Sequence, residues 1–227
     1  MLERTQASEM LDGYIADGTL LADSFAEVWG VNRYLGGMAV LQRYLAHWLR
    51  RRRQLTLLDV AGGAGDVAAA LQAWAGHRHN AQLTPTLVDN HPQVLSLARG
   101  RLGDQNVVDG DARRLPFRRG AFDVAICNLA LHHFSEAEAA LVLRELDRVA
   151  RLGWVVSDLE RHPLAYAAAR MLAATLWRNP ITRHDGPLSV RRAYQVDELQ
   201  ALVARAGVEA QVVRHFPFRL AIVCRRR

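Results

Sequence analysis

The chain has no lysine: all 29 of its basic side chains are arginine. Chemistry that needs a Schiff-base lysine or the lysine of a phosphate-binding loop is thereby excluded. Cysteine is nearly absent too. Cys127 and Cys224 stand alone in apolar, strand-like runs with no CxxC spacing, so neither a disulfide framework nor a cysteine zinc site is expected, and both read as small buried hydrophobes. No apolar run reaches the length of a membrane span. The opening Met1-Leu2-Glu3-Arg4-Thr5 lacks the apolar core of a secretory signal, which makes the cytoplasm the expected compartment. Internal repeats and low-complexity segments are missing as well.

What remains is the composition of a globular protein. Half of the 227 residues are apolar and 23% are charged, which suits one α/β domain with some elaboration. The net charge is +6 and the pI about 10.1. Apart from clusters at 50–53 and 225–227 the arginines are dispersed. They read as a solvated surface, and nucleic acid is not the expected partner.

Residues 1–53 read as helices forming an N-terminal cap. Phe25, Val28 and Trp29 have helical spacing, as do Leu41, Tyr44, Leu45 and Trp48, with Gly36-Gly37 breaking the region between them. From residue 54 to the end strands alternate with helices. Strands are expected at 55–60, 83–88, 107–108, 122–127 and 154–159, and helices at 66–75, 92–101 and 135–149. Ser135 and Glu138 supply a capping box for the last of these. This alternation predicts a mostly parallel sheet covered on both faces. An insertion over 163–195 follows: an Ala-rich helix at 164–178, then a polar, Arg-rich link at 180–193. A helix at 196–206 leads to strands at 209–215 and 220–224, joined by a turn containing Pro217, so the sheet should end in antiparallel pairing.

Three segments carry chemistry. Leu57-Leu58-Asp59-Val60-Ala61-Gly62-Gly63-Ala64-Gly65-Asp66 is an apolar strand, a glycine-rich turn and a helix start. Such a turn lets backbone approach a ligand, and the free amides at the helix start favour negative charge. Leu87-Val88-Asp89 places a carboxylate at the end of the second strand, suited to a ribose diol or to capping the next helix. Both are shared with nicotinamide-dependent oxidoreductases. The third segment separates the two: Gly110-Asp111-Ala112-Arg113-Arg114-Leu115-Pro116-Phe117, then Phe122-Asp123-Val124-Ala125-Ile126-Cys127-Asn128, then Leu131-His132-His133-Phe134.

In this order and spacing, residues 55–160 resemble the class I S-adenosylmethionine-dependent methyltransferases, in particular the group similar to ubiquinone/menaquinone-biosynthesis methyltransferases. The resemblance implies a Rossmann-like sheet that binds S-adenosylmethionine and releases S-adenosylhomocysteine. Carried over by position, Ala61, Gly63 and Gly65 pass along the methionine moiety. Asp89 holds the ribose, Asn90 lies beside the adenine, Asp111 accepts from the adenine amino group with Ala112 near it, and Asn128 borders the methionine end. The family usually has glycine where this chain has Ala61.

Two flanking segments, Asn32-Arg33-Tyr34-Leu35-Gly36-Gly37 and the run from Thr182 to Tyr194, resemble a bacterial branch tied to polyketide and phenolic-lipid pathways. That implies an aromatic or polyketide hydroxyl as acceptor. Methyl transfer from a sulfonium needs no metal and is chiefly a matter of positioning, but a phenol gains from a nearby base. His132, His133 and His184 are the candidates, His133 past the fourth strand and His184 beside Asp185. Asp158 and Glu160, past the fifth strand, suit either substrate binding or, preferentially, capping of the next helix. Trp29, Tyr34, Met38, Met171, Leu172 and Trp177 are expected to wall an apolar acceptor pocket between the N-terminal helices and the insertion. An NAD(P)-dependent oxidoreductase and a catalytically silent S-adenosylmethionine-binding protein are the rival readings. A base-directed nucleic-acid methyltransferase is disfavoured because Asn128-Leu129-Ala130-Leu131 lacks the Pro-Pro-aromatic clamp. A monomer or homodimer with no bound metal completes the expectation.

Overall fold

The structure, a computed structural model, describes residues 2–226. Seven strands form one sheet: β1 (Gln54–Val60), β2 (Gln82–Asp89), β3 (Val107–Asp109), β4 (Phe122–Asn128), β5 (Ala150–Leu159), β6 (Gln211–His215) and β7 (Arg219–Arg225). Their order is β3-β2-β1-β4-β5-β7-β6. The first five pair in parallel, whereas β7 runs antiparallel to both β5 and β6. The expected sheet, its antiparallel finish included, is what forms. Pro85 sits inside β2, but β3 covers β2 only at Leu87–Asp89. Pro85 therefore lies on an open stretch of edge, where a missing N–H is tolerated.

Alternation along the strands feeds two cores. Leu55 and Leu57 of β1, with Val124 and Ile126 of β4, face the helices α2 (Gly37–Leu49) and α3 (Asp66–His79). Leu58, Val60, Ala125 and Cys127 face the other way, onto α5 (Glu136–Val149) and α8 (Val196–Ala206). Helix α4 (Pro92–Leu102) packs Leu95 and Ala98 on Leu87 and Val107. Leu41, Tyr44, Leu45 and Trp48 of α2 are buried in the sheet's own core, so α2 is a layer of the sheet domain as well as part of the N-terminal region. Cys127 and Cys224 are free and buried. Among the described residues no helix is long and apolar enough to cross a membrane.

Two elements differ from expectation. Within 1–53, helix α1 (Gly18–Tyr34) and α2 form, but residues 2–17 hold only one 3-10 turn at Met10–Asp12. Tertiary partners replace a helical ladder in this segment. Asp185 accepts the amides of Met10 and Leu11 at 2.8 and 3.0 Å, and Gln93 exchanges hydrogen bonds with the backbone of Ile15.

The supposed polar link at 180–193 is a helix, α7 (Pro180–Arg192), capped by the Asn179 side chain and packed beside α6 (Pro163–Thr175). Its polar residues misled because several point inward to fixed partners: Thr182 bonds Ser24 at 3.1 Å, and Asp185 and Arg192 are buried. Gly186, which reads as a breaker, is required for packing. A Cβ there would fall 2.4 Å from the Trp177 ring.

Candidate active site

The parallel strands end together at β1 and β4, where the sheet order reverses direction and open α/β sheets bind their ligands. A cavity of about 610 Å³ opens there. Ala61, Gly63, Asp89, Asn90, Asp111 and Ala112 line one end of it, so six of the eight positions named for the adenosyl ligand are brought together. Gly65 and Asn128 do not line it. Gly65 is buried as the N-cap of α3, with φ +84°, and Asn128 is half-buried with an unpartnered Oδ1.

The turn is built for close approach. A Cβ on Gly63 would meet Phe25 at 3.0 Å and its φ is +59°. Asp89 braces the turn through Oδ2, which accepts the Gly63 amide at 3.0 Å, while Oδ1 accepts the His91 amide at 3.0 Å. A carboxylate oxygen has further lone pairs, so each remains able to take a ribose hydroxyl. Asp111 is occupied differently from expectation: it accepts the Arg113 backbone amide at 2.8 Å and its guanidinium at 2.7–3.0 Å. This pairing draws the Asp111 pKa below the usual carboxylate range.

Ala61 takes a left-handed conformation, φ 52°. Leu129 and Phe218, also on the cavity wall, are left-handed at φ 53° and 47°. Strained backbone of this kind gathers at ligand sites, held by the structure around it. Beneath the turn, and missed from sequence, lies Asp59. It is 1% exposed, neither oxygen has a partner, and burial followed by the Asp89 charge pushes its pKa up to about 8. It does not itself line the cavity; the ligand space is met by the glycine cradle and the Asp89 carboxylate, which suit a ribose diol.

The other end of the cavity is apolar, with Val28, Val31, Leu35, Leu172 and Trp177 on its wall. Leu172 and Trp177 are where the sequence placed them. Trp29 and Met38 instead pack into the sheet core, and Tyr34 and Met171 are 75% and 61% exposed. Helix α1 turns Phe25, Val28 and Val31 inward, which leaves Trp29 on its other side.

The polar pole of this end comes from a 3-10 turn, Leu131–His133, after β4. His132 is 3% exposed. Its Nδ1–H donates to Asp158 Oδ1 at 2.7 Å, and its amide donates to Asp158 Oδ2 at 3.0 Å. His133 Nδ1–H donates to Asp12 Oδ1 at 2.7 Å. Both Nε2 atoms face Glu9, at 3.6 and 3.7 Å. Burial opposes charge on His132, but Asp158 and Glu9 outweigh it and raise its pKa to about 10.

Asp158 therefore pairs with His132, and Glu160 pairs with Arg214 at 2.6 Å. Neither caps α6, whose N-cap is His162. Glu9 and Asp12 were not anticipated, because nothing local marks contacts 121 or more positions away. Asp158 was within reach: Asn128 pairs with Ser157 in register, so the residues after the two strands are neighbours.

His184 lies elsewhere. It contacts Asp185 at 2.7 Å, but its side chain is 52% exposed and lines a shallow depression with Tyr166 and Arg183 on the outer side of α6 and α7. Asp185, the buried partner, faces the cavity in its place. The reason is helical phase: once 180–192 is a helix, positions 184 and 185 point about 100° apart.

Sheet order, antiparallel β7, glycine turn and ribose-type acid together define the Rossmann-like fold of class I methyltransferases. Residues 58–157 match the family model described as a methyltransferase domain, and over them the chain carries an S-adenosylmethionine-dependent methyltransferase domain. It is 28% identical over 217 residues to a ubiquinone/menaquinone biosynthesis C-methyltransferase of Xylella fastidiosa, covering 84% of this chain and 83% of that protein. It is 36% identical over 109 residues to demethylmenaquinone methyltransferase of Thermotoga maritima, covering 45% and 44%.

Solved structures share the fold. A SAM-dependent methyltransferase from Aquifex aeolicus has TM-score 0.55 and 18% identity, over 80% of this chain and 87% of that one. Magnesium protoporphyrin IX methyltransferase of Synechocystis PCC 6803, solved with bound S-adenosylhomocysteine, has TM-score 0.57 and 13% identity, over 90% and 93%. The oxidoreductase reading falls with these matches.

Proposed function

We propose that the chain methylates a small, largely apolar acceptor bearing a weakly acidic hydroxyl, of aromatic or polyketide type. One observation carries this reading: a single cavity joins the glycine turn and Asp89 to an apolar chamber whose polar pole is His132 and His133. S-adenosylmethionine supplies an electrophilic methyl group on a sulfonium. Ala61, Gly63 and Asp89 hold it, with Asn90, Asp111 and Ala112 around the adenosine. Leu172, Trp177 and Val31 exclude water and orient the acceptor. His133 meets the acceptor hydroxyl at Nε2 and takes its proton, while Asp12 holds Nδ1–H and so fixes the tautomer. Both histidines line the cavity, but His133 is half-buried whereas His132 is enclosed.

Phenols with alkyl chains, incubated with labelled S-adenosylmethionine and the intact protein, should be methylated on oxygen. His133→Ala should lower kcat by about 10²-fold, in the range of a lost general base, with cofactor affinity unchanged. Carbon methylation of a hydroquinone, with no transfer to oxygen, would instead favour the activity named for the Xylella fastidiosa relative.

A further inference from the structure

We propose that Glu9, His132 and His133 form a binding site for one divalent transition-metal ion. Each residue offers a donor atom, and the three lie within 4.8 Å of one another; His132 Nε2 faces Glu9 Oε1 and His133 Nε2 faces Oε2. The Nε2–oxygen separations of 3.6 and 3.7 Å are too long for hydrogen bonds, which fall at about 2.7–3.2 Å. They are close to the spacing of about 3.4 Å between two ligands each about 2.1 Å from a tetrahedral zinc.

The outer partners point the same way. Asp158 takes Nδ1–H of His132, and Asp12 takes Nδ1–H of His133, each at 2.7 Å. Both Nε2 atoms are thus directed toward Glu9. Metal-ligating histidines are held in this manner, the other ring nitrogen fixed by a carboxylate. His132 Nε2 is buried and aimed at the Glu9 carboxylate with no hydrogen-bond partner; a metal ion would take the place of the proton held there.

Local charge agrees. Glu9, Asp12 and Asp158 bring three negative charges and Arg192 one positive charge, at 3.8 Å from Glu9 and 2.6 Å from Asp12. The carboxylates outnumber this guanidinium, a surplus of negative charge that a divalent cation would offset. Two imidazoles and one carboxylate select zinc, cobalt or iron over magnesium or calcium, which prefer all-oxygen sites.

One consequence rests on the function proposed above: the ion occupies the His133 Nε2 that meets the acceptor, so it inhibits transfer.

The test is a titration of metal-stripped, untagged full-length protein with cobalt(II), followed by visible ligand-field absorption. One equivalent should bind, zinc should displace it, and Glu9→Gln and His133→Ala should each weaken binding at least tenfold. Asp12→Ala, which removes an outer partner, should weaken it about tenfold. Binding of S-adenosylhomocysteine by each variant verifies its fold. No stoichiometric cobalt spectrum, or one indifferent to Glu9→Gln and His133→Ala, overturns the site. A site-specific spectrum with methyl transfer unaffected by saturating zinc keeps the site and overturns its link to the base.

Discussion

At the residue scale, the binding turn carries backbone strain at a single alanine. Ala61 stands where related turns have glycine and adopts φ 52°. A left-handed L-residue costs about 1–2 kcal/mol, and glycine returns part of that as chain entropy. Ala61→Gly should therefore stabilise the protein by up to about 1 kcal/mol in urea denaturation. Loss of stability would show that the methyl packs usefully. The substitution was visible in the sequence; the torsion was not, because alanine carries no mark of a positive φ.

Asp59 is the opposite case, an acid whose importance the sequence hides inside a strand. Its carboxyl stays protonated in the fold up to about pH 8, against a reference of 3.8. Between those values the unfolded chain releases a proton that the folded chain keeps, so this group erodes stability progressively as pH rises and adds no further loss above about 8. Asp59→Asn should leave stability near wild type at pH 4 and gain over it increasingly toward pH 8 in parallel denaturation curves of ligand-free protein. A pH-independent difference would mean that the acid ionises freely.

At the scale of elements, the site is closed by the two segments that sequence patterning describes least well. Residues 2–17, read from sequence as part of a helical cap, have little helical periodicity of their own, and α7 is too polar to look buried. Each explains the other: Asp185 of α7 holds the amides of Met10 and Leu11, and Arg192 donates to Asp12 and to the backbone of Ala7 and His133. Polarity in 180–192 records partners, not exposure.

Asp185→Ala strands two amides and should cost about 2–4 kcal/mol. It should also speed hydrogen exchange at Met10 and Leu11 far more than in β1. Unchanged exchange there would mean the segment is held by other bonds. By contrast β1, β2, β4 and β5 were legible, since continuous apolar runs bounded by turns leave a buried parallel strand as the economical reading. The phase of α7 also decides which histidine matters. A helix turns His184 out to solvent and Asp185 in, a distinction that a link could not make.

At the scale of the whole molecule, the sheet's reversal between β1 and β4 brings together residues from every third of the chain. The cofactor end was readable because its parts lie on consecutive strand ends in a fixed order. Asp89 and Gly63 of the glycine turn are 26 positions apart and meet through β1–β2 pairing. The acceptor end was only half readable, because it depends on contacts such as Glu9 with His132 and Asp12 with Arg192, across 180 positions in the second case. The apolar chamber adjoins the cofactor end with no sheet or helix between them, which is the geometry direct methyl transfer requires.

Isothermal titration of the folded protein with S-adenosylhomocysteine tests this union most directly. The expected result is one site per chain, with Asp89→Ala weakening it roughly 10–100-fold, the loss of charge-assisted hydrogen bonds to the ligand. No heat with S-adenosylhomocysteine, or an affinity that Asp89→Ala leaves unchanged, would contradict it.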